Sequence, residues 1–288
     1  MALVINTNVS SLIAQRNLQF NTMNLNRSFE KLASGYRINK AADDAAGLSI
    51  SETLRTQIRG TKQAIANTQD GVNILAIGEG AFTTISENLQ RIRELTIQAA
   101  NDTNATVERS AIALEVSERL KDINRIAYTT RGSNVFLLDG NLNSFYLQIG
   151  ANSTLSTNAL DISDVFSSSY CTALGISQNI TTSVHATGGG IYESGGSCRA
   201  FLDIIDYAIS QVADRRAKLG ALQNRLESTV QNLSISVENL LTTESRIRNL
   251  DIASESAELT KNQILQQSAI SVLAQANQAP TLALQLLQ

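Results

Sequence analysis

The side chains able to do chemistry are few in this chain, and they are scattered. His185 is the sole histidine and sits in a Gly-rich stretch. A catalytic triad would therefore have one candidate base and no identified partner, and a solvent-exposed histidine is the plainer reading. Asp43-Asp44 offers two adjacent carboxylates for acid–base work, but they stand where a helix is expected to begin, and Asp is favoured there as a cap and against the helix dipole. Cys171 and Cys198 are the only thiols. In an oxidising compartment they could close one loop, and two separate thiols is the equal alternative. Gly78-Glu79-Gly80 lacks the preceding strand that a dinucleotide fingerprint requires, and no HExxH, C-x-x-C or P-loop occurs. No catalytic residue, metal or cofactor is expected. Triplets such as Asn152-Ser153-Thr154 are no more than chance supplies in so polar a sequence.

With chemistry so thin, the elements themselves become the subject. A single Pro, no Trp and 5% aromatics suit long helices packed by aliphatic side chains better than an enzyme with an aromatic-lined pocket. The 43% apolar content is enough for a core in 288 residues. A formal charge of -3 and a pI near 5.3 provide no basic field for nucleic acid.

Helical spacing covers 1–34, with Ile5, Val9, Leu12, Arg16, Phe20 and Met23 as one stripe and Leu18, Leu25, Phe29 and Leu32 as a second. Two stripes imply neighbours on two sides, and Gly35 is a natural stop. Spacing resumes after Asp44, with Leu75, Phe82, Ile85, Leu89 and Ile92 on one face up to about Ala100. A turn over 101–106 leads to a helix whose inner side carries Ile112, Val116, Leu120 and Ile123. Near the other end Ile205, Val212, Leu219, Leu226, Leu233, Leu240 and Ile247 recur every seventh residue, a coiled-coil seam. As one helix, 201–250 would run about 75 Å at 1.5 Å per residue, and 57–100 with 106–128 would be its partners. Between these lie two expected strands, 134–138 and 145–149, around the Asp139-Gly140-Asn141 turn. The Ser-, Thr- and Gly-rich stretch 151–198 reads as a small exposed cap of strands and loops.

The ends are the unusual part. Met1 to Gln15 carries no charge, and nothing after Lys261 is ionisable, yet Ile264, Leu265, Ile270, Val272, Leu273, Leu282, Leu284, Leu286 and Leu287 occur there. Gln residues spread along that tail argue against a membrane span, and the N-terminus lacks the basic start and small-residue cleavage site of a signal peptide. Exposed apolar patches mark contacts, so both ends read as interfaces between chains.

Several motifs, in order, resemble bacterial flagellin. They are Asn6-Thr7-Asn8, Leu32-Ala33-Ser34-Gly35-Tyr36-Arg37-Ile38-Asn39, Ala41-Ala42-Asp43-Asp44-Ala45-Ala46-Gly47-Leu48, Gln90-Arg91-Ile92-Arg93-Glu94-Leu95, Gln98-Ala99-Ala100-Asn101, Gln263-Ile264-Leu265-Gln266-Gln267 and Val272-Leu273-Ala274-Gln275-Ala276-Asn277-Gln278. The resemblance covers roughly 1–150 and 200–288. It departs at Arg131-Gly132-Ser133-Asn134, where the family's Phe-Asn-Gly is missing, and at Leu147, where Phe is common.

The resemblance implies a mainly α fold: a long antiparallel helical coiled-coil rod formed by both termini, with a small β-hairpin near 134–149 and a β/loop outer insert. It implies terminal helices 1–40 and 251–288 lining a filament core, a rod of 41–150 and 199–250, and a variable outer region 151–198. It implies a structural subunit of the swimming filament that polymerises with itself, is exported through the flagellum's own channel and ends outside the cell, with ends that fold only on assembly. Export chaperone, cap and hook-junction proteins are the implied partners, with no membrane span and no nucleic acid. Ile5, Val9, Leu12, Phe20, Met23, Leu265, Val272 and Leu273 are then the filament-core packing residues. Arg91, Leu95 and Gln98, at i, i+4 and i+7, form with Glu115 a face that in related flagellins meets the host Toll-like receptor; packing against a neighbouring subunit is the alternative use of that face. The other readings are a hook–filament junction protein with similar terminal helices, an exported enzyme carried in 151–198, and an intracellular coiled-coil adaptor.

Overall fold

Residues 8–142, 144–176, 192 and 195–285 are described in this computed structural model. Ile5, His185, Gly188–Gly190, Leu286 and Leu287 lie outside the described residues, as does the helical reading of 1–7. The chain groups into two units, Arg59–Val237 and the paired ends Met1–Ile58 with Glu238–Gln288.

In the first of these units, α2 (Ala45–Ala100), α3 (Thr106–Thr129) and α5 (Gly195–Arg248) supply the core. The expected stripes point inward: Leu75, Phe82, Ile85, Leu89 and Ile92 from α2, Val116, Leu120 and Ile123 from α3, and Ile205, Val212, Leu219 and Leu226 from α5 are all fully buried. Polar contacts fix the antiparallel register. Arg119 donates to Asn88 at 3.1 Å between α3 and α2, and Arg93 pairs with Asp206 through two nitrogens at 2.5 and 3.3 Å between α2 and α5. The Asn101–Ala105 turn closes as Asn104 Nδ2 donates to the Gln98 carbonyl at 2.6 Å.

Two expectations are corrected here. The Asp-Gly turn exists, with Gly140 at φ 78 and the Asp139 carboxylate accepting the Asn141 amide at 3.0 Å, but the flanking segments do not pair with each other. Instead β1 (Arg131–Gly132) pairs with β2 (Val135–Phe136), and β3 (Tyr146–Gln148) pairs with β4 (Ala159–Asp161), both antiparallel. The physical reason is that Leu137 and Leu138 are consecutive and both fully buried, which a one-sided hairpin strand cannot achieve.

The second correction concerns 151–198. Past the single turn α4 (Leu155–Asn158), the stretch 159–176 is no exposed cap, because Leu160, Ile162, Val165, Phe166, Cys171, Leu174 and Ile176 join the helical core. Its Ser and Thr content hid an apolar residue at nearly every turn of an irregular backbone. Two glycines of α2 make room for this layer. A Cβ on Gly71 would collide with Leu147, and one on Gly78 would fall 2.5 Å from Phe166 Cε1.

The other unit is built on α1 (Val9–Ser34) and α6 (Ile252–Gln285). Asn8 caps α1 by accepting the Ser11 amide at 3.1 Å, and Gly35 at φ 72 ends it, the left-handed conformation glycine adopts without strain. Asp251 caps α6 by accepting the Ala253 amide at 3.0 Å. Asp44 caps α2 by accepting the Gly47 amide at 2.9 Å, so the paired carboxylates serve the backbone. The α1–α6 pair is antiparallel, recorded by Asn8 Nδ2 to the Ala276 carbonyl at 2.8 Å, Gln266 to Thr22 Oγ1 at 3.2 Å, Asn21 to the Leu265 carbonyl at 3.3 Å and Lys31 near Glu255 at 3.9 Å.

Candidate functional site

The α1–α6 seam is built from unexpected material. On α6 the covered positions follow a 4,3 spacing through Leu259, Asn262, Gln266, Ala269, Leu273 and Ala276, and on α1 they run through Ser11, Ala14, Leu18, Asn21, Leu25, Ser28 and Leu32. Most are small or polar. Of the two stripes in the first helix, that of Leu18, Leu25 and Leu32 meets α6, although Phe29 of that stripe is exposed. The other faces outward, with Val9 60%, Leu12 61%, Phe20 61% and Met23 47% exposed. On α6, Ile264, Leu265, Ile270 and Val272 are likewise exposed. The helical pair covers small and polar residues along with a row of leucines, and leaves a second set of large apolar residues exposed, in segments without charged side chains over 9–15 and beyond Lys261.

A joint closes this unit where both helices break. The Arg37 amide donates to the Arg248 carbonyl at 2.8 Å and the Leu250 amide to the Gly35 carbonyl at 3.1 Å, making an antiparallel bridge between Tyr36 and Asn249. Arg37 Nη2 donates to the Ile247 carbonyl at 2.7 Å. The Arg248 guanidinium lies 4.7 Å over the Tyr36 ring and reaches Glu52 at 2.9 Å. The hydrogen bonds from Arg248, then Arg55, hold the Glu52 carboxyl below its usual range. Asp43 is held down by the amides of Lys40 and then Asn39, and Glu30 by its hydrogen bond from Lys40.

The expected receptor face comes together only in part. Arg91 and Gln98 are exposed, and Arg91 pairs with Glu94 at 3.0 Å and with Glu115 at 3.2 Å; these hydrogen bonds, Glu94's the larger, raise its pKa. Leu95, expected outside, is 3% exposed and belongs to the core between the helices. Position 95 follows Ile92 by three residues and so lies on the inner side of α2. Sequence spacing offset it from Leu89 and Ile92 but could not measure how wide the buried face was.

Cys171 and Cys198 are both buried and are not joined as a disulfide. The Cys171 thiol contacts the Leu120 carbonyl at 3.4 Å, and burial pushes its pKa up to about 12. Burial also raises Tyr192, whose hydroxyl lies 3.0 Å from Thr96 Oγ1. Among the described residues no group of His, Cys, Asp and Glu is placed to hold a metal, and no helix is long and apolar enough to cross a membrane.

Paired terminal helices whose bulky apolar residues face away from their own chain, joined to a long helical core, define the structural class of a self-assembling helical subunit. Residues 5–143 match the bacterial flagellin N-terminal helical region and 202–287 the C-terminal helical region. The chain belongs to the bacterial flagellin family and is a structural subunit of the flagellar filament. It is 41% identical to the flagellin of Halalkalibacterium halodurans over 99% of this chain and 100% of that one. It is also 41% identical to that of Bacillus subtilis, over 99% of each. A putative flagellar hook-associated protein from Vibrio parahaemolyticus shares the fold at a TM-score of 0.59 and 14% identity, covering 72% of this chain and all of that one. That likeness is one of fold, so the hook-junction reading is the weaker.

Proposed function

We propose that the outward stripe of the terminal pair is the surface by which sister molecules pack around a shared axis. Val9, Leu12, Phe20 and Met23 of α1 and Leu265 and Val272 of α6 form it, and Ile5 continues it in sequence. Leu273, half-buried in the α1–α6 seam, supports the stripe from beneath. One observation carries this reading: large apolar side chains are exposed on a helical pair whose own seam intersperses five leucines with Ala, Ser, Asn and Gln. Each Leu, Ile or Phe transferred from water contributes about 1.5–3 kcal/mol, so a stripe repeated in every subunit holds a polymer together. A seam so diluted with small and polar residues leaves the pair weak alone, which supports terminal helices that order only on assembly.

On this reading the ends 1–40 and 251–288 line the filament core, and 41–150 and 199–250 form the rod, with 159–176 packed into the rod's own core. The work is mechanical and not catalytic. The subunit is secreted through the flagellum's export channel, meeting an export chaperone, cap and hook-junction proteins on its way. The Arg91–Glu115 pair with Gln98 is the polar part of a face open to a host Toll-like receptor.

Val272→Asp tests the packing. It puts a charge on the outward face while sparing the seam, and burying it between subunits costs several kcal/mol. Sedimentation and electron microscopy should find no polymer of this variant; normal filaments would end the proposal.

A further inference from the structure

The sulfur atoms of the chain are those of Met1, Met23, Cys171 and Cys198. The two thiols are shielded twice over. Cys171 and Cys198 are buried in the helical core, and burial raises both above the ordinary thiol pKa, so neither presents the exposed thiolate that peroxides attack. Met1 lies outside the described residues. Met23 stands in the opposite situation, exposed on the outward stripe of α1 one turn beyond Phe20. A thioether needs no ionisation to react, so exposure governs its oxidation. The Met23 sulfur is open to solvent in the free subunit in either state of the ends: α1 turns it away from the seam when paired with α6, and an unordered α1 covers nothing.

We infer that Met23 is an oxidation site at which hydrogen peroxide controls whether the free subunit can polymerise. This deepens the proposed assembly role of the outward stripe and rests on it. Peroxide transfers one oxygen to the thioether: the O–O bond breaks, an S–O bond forms, sulfur gives up two electrons, and the peroxide leaves as water. The product is a sulfoxide, whose oxygen is a strong acceptor that loses its water when two copies close on the stripe. The same step turns a flexible apolar side chain, suited to filling an irregular contact, into a polar one. In the polymer a neighbouring copy covers the sulfur, so the modification acts on subunits before they join and spares finished filament. A methionine sulfoxide reductase with a thiol reductant reverses it, returning the oxygen as water.

The test treats full-length monomer with hydrogen peroxide, removes the peroxide, maps the added oxygen by peptide mass, and measures the critical concentration by sedimentation. Met23 should gain one oxygen while Cys171 and Cys198 stay reduced, and the critical concentration should rise about tenfold, equivalent to about 1.4 kcal/mol per subunit. Reductase treatment of the same sample should bring it back. Met23→Leu, compared only with its own untreated state, should show no response to peroxide, although it keeps Met1 and both thiols. Met23 in preformed filaments should oxidise at least about tenfold more slowly than in monomer. An oxidised parent that polymerises at its original critical concentration, a response of Met23→Leu as large as the parent's, or equal oxidation of Met23 in monomer and filament would each overturn the inference. Val272→Asp keeps the two ideas separable: if it abolishes assembly while oxidised parent still polymerises, the stripe stands and the oxidation switch falls.

Discussion

Phe20→Ala isolates the outward stripe from everything else in the chain. The side chain is 61% exposed in the single molecule, so that fraction of its burial is left for a neighbour to supply. Full burial of Phe contributes about 1.5–3 kcal/mol, which leaves about 1–2 kcal/mol per subunit at stake between chains. That corresponds to a rise of about five- to thirtyfold in the critical concentration for polymerisation. Sedimentation of polymer against total protein measures it directly, with thermal unfolding of the monomer as the control. The monomer should unfold as the parent does, because Phe20 gives up little inside its own chain. Leu25→Ala is the contrast: Leu25 is buried in the α1–α6 seam, so its truncation weakens the pairing within the molecule itself. A Phe20→Ala chain polymerising at the parent's critical concentration would refute the assignment of this face.

Two glycines two residues apart should respond with opposite signs. Gly78→Ala drives a methyl to 2.5 Å from Phe166 and should destabilise by about 1–3 kcal/mol, whereas Gly80→Ala meets nothing within 4 Å and should stabilise by about 0.5–1 kcal/mol, both read by urea unfolding. Equal effects would mean that the 159–176 layer does not press on α2. The Cys171 thiol, ordinarily near 9.0 and here pushed up to about 12, stays neutral in the folded chain when the unfolded chain ionises. This group therefore leaves stability flat below pH about 9 and lowers it as pH rises toward about 12, by up to about 1.4 kcal/mol per pH unit. Cys171→Ala should remove that share of the alkaline slope; an unchanged slope would place the thiol in water.

The long helices were legible because their signals are strong and local. The heptad from Ile205 to Leu226, the inner stripe of α2 and the stop at Gly35 follow from spacing and backbone chemistry, and each stands in the structure. What spacing could not decide was which of two apolar stripes its own chain would cover. In α1 the more obvious stripe, with Phe20 and Met23, is the one left open, because the seam uses Ala14 and Ser28 to let the helices approach. Leu95 was misplaced for a related reason, since packing against α3 widens the buried face of α2 beyond a single row. The segments flanking Asp139-Gly140 held a turn but not its pairing, because strand partners depend on where Thr130 and Phe145 run afterwards. In 159–176 the apolar residues carry no period at all, so only tertiary packing shows that they are core.

The central claim is that the uncharged ends find their apolar partners in other copies of this chain. A chain lacking residues 1–34 and 252–288, concentrated and imaged by electron microscopy, tests it most directly. The account predicts a soluble helical core that forms no filaments at any concentration reached, even from full-length seeds. Ordinary long filaments built by that shortened chain would contradict it.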